Sequence, residues 1–270
     1  MKKKVSMWRC TLNDERLRIL KLLEEGKINA EEAARLLEAL SHAEERIKKS
    51  RFWKAIESIP DYVSSSISSS FKYSTEKETL QFPKKKYIEF KGISGDLEVI
   101  GSDTDKIDIE KDGMAKIQEK DDRLEIKAIS GDMKIMVPKT THFAMKGVSG
   151  DLRIMNVNGE IEVASVSGDI VGQELSGSLD SKLASGDIEV DYKKVEKINI
   201  RARTGDIVLK IDENVEAEIE AETKTGDIEC EFELTDKVEN EHSLKGVINK
   251  PKAKIELKNQ HGNIRIEKRK

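Results

Sequence analysis

Residues 163–190 read VASVSGDIVGQELSGSLDSKLASGDIEV, and the phrase SGDI stands in them twice, at 167–170 and 185–188. Working outward from these copies, glycines recur at Gly95, Gly113, Gly131, Gly150, Gly168, Gly186, Gly205, Gly226, Gly246 and Gly262, in steps of 16 to 21 residues. A period near 19 is the sequence mark of a solenoid. Most of these glycines share one context: ISGDLEV, ISGDMKI, VSGDLRI, VSGDIVG, ASGDIEV, RTGDIVL, KTGDIEC and HGNIRI.

The residues around each glycine specify its role. Two positions later stand Leu97, Met133, Leu152, Ile170, Ile188, Ile207, Ile228 and Ile264; the next position is usually charged and the one after it apolar again. The alternation recurs seven and five residues before glycine, as in Ile88 and Phe90 or Ile198 and Ile200. A period of two is that of a strand with one buried face. Each coil is therefore a strand, a corner, a second strand and a looser return. Glycine supplies positive φ at the corner, and the Asp and Ser/Thr beside it hydrogen-bond nearby amides. The corner residues are Gly95 and Asp96, Gly131 and Asp132, Gly150 and Asp151, Gly168 and Asp169, Gly186 and Asp187, Gly205 and Asp206, and Gly226 and Asp227.

The expected fold is mainly β: a right-handed parallel β-solenoid of about 18–20 residues per coil, preceded by a small α-helical hairpin. Each coil is expected to stack on the one before it, so that inner aliphatic residues form columns at the strand spacing of about 4.8 Å. Composition fits a thin core, since only 4% of residues are aromatic and 37% are apolar.

Three parts are read along the chain. Residues 1–50 form a helical hairpin with Leu17, Leu20, Leu36, Leu37 and Leu40 on an apolar stripe that needs a partner. Residues 51–84 are a Ser-rich linker carrying Phe52, Trp53, Ile56, Ile59 and Phe71, which either cap the solenoid's first open coil or lie at a membrane interface. Residues 85–270 are the solenoid. Residues 1–54 hold 14 Lys/Arg against 9 Asp/Glu, so a basic head precedes an acidic body. A net charge of -4 with mixed signs argues against nucleic acid.

No cofactor and no catalytic site is expected. The histidines His42, His142, His242 and His261 make no zinc spacing, and no phosphate-binding glycine loop or GxSxG elbow occurs. Six to eight copies of Ser-Gly-Asp argue for architecture, since a catalyst needs one. Gly159, Gly168, Gly177 and Gly186 are spaced by nine, as in calcium-binding nonapeptides, but each nonad has about one glycine; calcium is not expected. The stretch 233–254 is the one candidate for a protruding loop. Two distant cysteines fit a reducing cytosol, and the basic start is followed by no apolar signal core, so a cytoplasmic location is expected.

The phrases SGDLEV (94–99), SGDLRI (149–154), SGDIEV (185–190) and TGDIVL (204–209) resemble the adhesin-like β-strand-repeat family of unknown function. ERLRILKLLEEGKINAEEAARLLEAL (15–40) is similar to the SHOCT-like helical pair often fused ahead of it. The joint resemblance implies a role in cell-envelope stress responses and antimicrobial-peptide defence, without catalysis. The expected function is an interaction scaffold: the helical head binds a protein partner or self-associates, and the solenoid is a rigid binding surface. The alternatives are a bactofilin-like polymer and a surface adhesin that binds glycan or lipid.

Overall fold

A computed structural model of the chain describes residues 77–269. The helical hairpin with Leu17, Leu20, Leu36, Leu37 and Leu40, and the linker residues Phe52, Trp53, Ile56, Ile59 and Phe71, lie outside the described residues.

Chain order begins with β1 (Glu78–Pro83), β2 (Tyr87–Gly92), β3 (Leu97–Ser102), β4 (Lys106–Glu119), β5 (Arg123–Pro138), β6 (His142–Gly147), β7 (Leu152–Met155) and β8 (Asn158–Ser167). It continues through β9 (Ile170–Ser185), β10 (Ile188–Ala202), β11 (Ile207–Ile211), β12 (Ala217–Glu222), β13 (Ile228–Cys230), β14 (Thr235–Asn240), β15 (Ser243–Ile248), β16 (Ala253–Lys258) and β17 (Ile264–Lys268). β1 falls inside the stretch read as linker and pairs antiparallel with β4. Each coil places one strand before its corner and one after it, giving a first side and a second side.

The coils are parallel and in register, but they do not stack in chain order as the sequence led us to expect. Along the axis they run 123–138, 87–102, 142–155, 161–173, 178–190, 197–211, 253–268 and 217–230. Both ends are thus interleaved. After Ser102 the chain reverses as β4, turns at 120–122 and returns as β5, so the second coil lies outside the first. At the other end coil 217–230 is outermost, and the C-terminal coil 253–268 fills the slot between it and coil 197–211.

Strand reversal also covers the ends. β4 crosses both sides antiparallel to β5, and β1 lies beyond it on the second side. At the far end β15 pairs antiparallel with β12, and β14 with β15. Residues 233–254, expected to protrude as a loop, contain this hairpin. The terminal coils are therefore covered by antiparallel strands except at short β13, and the outermost strands among the described residues are β1, β4, β13 and β14.

The inner rows are nearly dry. Ile88, Leu124, Phe143, Ile161, Leu179, Ile198, Ile219 and Ile255 on the first side, and Leu97, Met133, Leu152, Ile170, Ile188, Ile207 and Ile264 on the second, are buried. Each such side chain contributes about 1.5–3 kcal/mol on burial. Ser181, at 0% exposure, interrupts the first-side row between Val163 and Ile200. Two glycines of the periodic series are not coil corners: Gly246 lies within β15, and Gly113 crosses the corner edge in the antiparallel β4, opposite Gly131.

Candidate functional site

The repeated phrase converges on one edge of the rod. Its glycines stack in the order Gly131, Gly95, Gly150, Gly168, Gly186, Gly205, Gly262, Gly226, each with positive φ. At Gly150 (φ 120°) a Cβ would stand 2.0 Å from the carbonyl oxygen of Gly95. Neighbouring coils therefore approach here more closely than any side chain permits.

The aspartates form a ladder beside the glycines. Oδ1 of Asp132 accepts the amide of Asp96, Asp96 that of Asp151, and Asp151 that of Asp169, each at 2.9 Å. The series continues from Asp169 to Asp187, Asp206 and Asn263 at 2.7–2.9 Å, and ends with the Asp227 amide on Asn263 Oδ1 at 3.0 Å. Carboxylates one strand apart repel, and charge-assisted amide bonds offset this. Every corner pair named from the sequence lies in this ladder. Asn263 and Gly262 also belong to it, although the phrase there is His-Gly-Asn; the shared glycine-plus-acceptor spacing was the signal. The nine-residue glycine spacing has a separate explanation: Gly168 and Gly186 stack on this edge, whereas Gly159 and Gly177 stack on each other at the return. Half a coil separates the two bends.

What the rod shows to solvent is two sheet faces, the first with a hollow of about 320 Å³ where Ala144 and Ala164 stand among longer side chains. On the first side, register aligns Lys127, Lys91, Lys146, Ala164, Lys182, Arg201 and Lys258 into one row. Two residues earlier on the same strands run Glu125, Glu89, Ala144, Glu162, Asp180, Asn199 and Glu256. Pairs link the rows within a strand: Lys91 to Glu89 at 2.8 Å and Lys182 to Asp180 at 3.7 Å. Burial pushes the Glu89 carboxyl up, but the hydrogen bond and charge of Lys91, with Arg123 and Lys146, outweigh it and leave its pKa below the usual carboxylate value. Glu256 is likewise lowered, first by the hydrogen bond from Lys254, against a smaller burial effect, and further by the charges of Lys254, Lys258 and Arg201. At one edge of this face His142 stacks on Tyr87 at 5.1 Å, 3.6 Å from Glu160.

A cleft of about 570 Å³ lies where the β14–β15 turn, with Asn240 and His242, overhangs Arg201, Lys224 and Lys258. Among the described residues, no three His, Cys, Asp or Glu side chains gather to hold a metal, and no helix is long and apolar enough to cross a membrane. Burial raises the pKa of the Cys230 thiol, more than the Phe232 backbone and Lys237 lower it, so the thiolate is disfavoured.

Residues 63–267 match the family model described as Toastrack DUF4097, and residues 14–45 match that of a SHOCT-like domain. Among solved structures the chain is similar to a candidate cell adhesion protein from Clostridium sporogenes, at 16% identity and TM-score 0.43, covering 72% of this chain and 100% of that one. It is also similar to a candidate adhesin from Bacteroides fragilis, at 16% identity and TM-score 0.35, covering 72% and 98%. A candidate adhesin from Parabacteroides merdae is similar at 12% identity and TM-score 0.23, covering 74% and 99%. No curated protein matches the chain.

Proposed function

The chain belongs to the Toastrack DUF4097 family, and from that premise we propose that it is a non-catalytic interaction scaffold. One observation carries the reading. The most repeated polar group, the corner aspartate, spends Oδ1 on the amide of the next coil, so the motif serves cohesion. What remains for function is long, regular surface.

In this reading the SHOCT-like pair recruits a protein partner through Leu17, Leu20, Leu36, Leu37 and Leu40, and a right-handed rod holds that partner at a fixed distance from whatever its faces bind. Leu36→Lys with Leu37→Lys removes the apolar stripe at its centre. The double variant should lose a copurifying partner while the solenoid melts at the unchanged temperature; retention of the same partner by the variant refutes the recruiting role.

We extend the reading to cell-envelope stress defence, an expectation that the resemblance of residues 15–40 and of the repeated Ser-Gly-Asp phrases supports. Deleting the gene should then alter sensitivity to cationic antimicrobial peptides, and unchanged sensitivity would speak against it. The cysteine usage supports a cytoplasmic location, with Phe52, Trp53, Ile56, Ile59 and Phe71 touching a membrane surface. Flotation of the full chain with anionic liposomes, beside its Trp53→Ser and Phe71→Ser variants, tests that contact; absence of floated protein counts against it.

A further inference from the structure

The two charged rows on the first side have a geometry that restricts what can cover them. The basic row holds six cations in seven consecutive coils, and the acidic row beside it holds five carboxylates. Both rows repeat at the strand spacing of about 4.8 Å, and they lie two residues apart, about 7 Å. A ligand that matched both would need alternate rows of opposite charge at the same repeat. An anionic polymer on the basic row would meet the acidic row along its whole length, and a basic peptide on the acidic row would meet the reverse. A parallel β-stack has the required repeat.

We propose that the first side of the solenoid pairs face to face with the first side of a second copy, the two rods parallel and related by a twofold axis along the rod. That operation puts each copy's basic row on the other's acidic row. The antiparallel alternative, with the twofold across the rod, puts like rows together and is repelled. From Lys127 to Lys182, clear of the β14–β15 turn, the face measures about 24 Å along the axis, from five strands, by about 20 Å, from six residues per strand. Pairing there would bury about 950 Å² in total, the size of a weak, transient contact. The contacts are exchanges of ion pairs already present within each face, such as Lys91–Glu89 and Lys182–Asp180, so the association is weak and salt-dependent. The inference rests on the rod being an interaction surface, and is independent of the helical head.

Sedimentation of the full chain reads this directly. At about 20 mM salt the wild type should dimerise, and at about 500 mM salt the dissociation constant should rise at least about tenfold. Across the four coils 87–102 to 178–190, Lys91→Glu/Lys146→Glu/Lys182→Glu leaves only carboxylates as charges in the two rows, and Glu89→Lys/Glu162→Lys/Asp180→Lys leaves only cations. Each variant alone should be monomeric at low salt, and their equimolar mixture should restore a one-to-one dimer. A monomeric wild type at low salt overturns the proposal, as does a dimer indifferent to salt. So does a dimer abolished by Leu36→Lys/Leu37→Lys and untouched by the face variants, an outcome that would leave the recruiting head intact as a reading.

Discussion

The interleaved C-terminal coil makes a prediction that stacking in chain order would reverse. Ile207, Ile264 and Ile228 occupy the same inner position of three coils, with Ile264 in register between the other two. Ile207 and Ile264 are both 0% exposed, whereas Ile228 in the outermost coil is half-buried. Replacing a fully buried Ile by Ala costs about 2–5 kcal/mol, from lost transfer energy and the cavity left behind. Ile264→Ala should therefore cost as much as Ile207→Ala, while Ile228→Ala should cost roughly half as much, about 1–2 kcal/mol. In a unit of this size each kcal/mol moves the melting midpoint by about 2–4 °C, so the first two variants should fall by about 4–20 °C and the third by only a few. The pairwise terms discriminate more sharply. Ile207 and Ile264 share a contact and should couple by about 0.5–3 kcal/mol in a double-mutant cycle; Ile207 and Ile228, two strand spacings apart, should be additive within about 0.5 kcal/mol. Urea titration followed by circular dichroism supplies all the terms. Strong coupling between Ile207 and Ile228, with a cheap Ile264→Ala, would mean that the last coil sits at the end of the rod and that the interleaving is wrong.

At the corner edge, Gly150→Ala must adopt φ near 120° with its Cβ 2.0 Å from a carbonyl; a loss of roughly 2–6 kcal/mol is expected from strain and overpacking together. Gly159→Ala, whose nearest neighbour would be 3.1 Å away, should cost at most about 1 kcal/mol, and equal losses at the two sites would undo the close-approach argument. Asp169→Asn should be nearly neutral, because Asn263 already fills a rung, while Asp169→Ala should cost about 0.5–1.5 kcal/mol by depriving the Asp187 amide of its acceptor; thermal melts in which Asn is as harmful as Ala would assign the ladder to charge instead. Tyr192 is 0% exposed and its hydroxyl has no hydrogen-bond partner among the described residues, and burial raises its pKa far above the ordinary phenol value. Tyr192→Phe should therefore raise stability by about 1 kcal/mol or more, and a destabilised Phe variant would show that the hydroxyl is satisfied.

The glycine period, the apolar positions on either side of it and the amide-accepting role of Asp96, Asp151, Asp169, Asp187 and Asp206 were all legible in the sequence, because each depends on a few neighbouring residues and on the two-residue period of a strand. Asn263 could be found by the same spacing. The charged rows could not be, since Lys91 and Lys146 become neighbours only through register, and so do Glu89 and Glu125.

Coil order belongs wholly to the tertiary structure. The repeats present interchangeable apolar columns, so coil 87–102 can pack on 123–138 or on 142–155 with the same inner pattern, and it packs on both. The chain's local pattern determined that there would be coils, where they bend and which residues face inward. Which coil touches which was decided by strand reversals at Lys106–Glu119 and Thr235–Ile248, because the free energy of burying an aliphatic side chain depends on the area covered and not on which repeat supplies the cover.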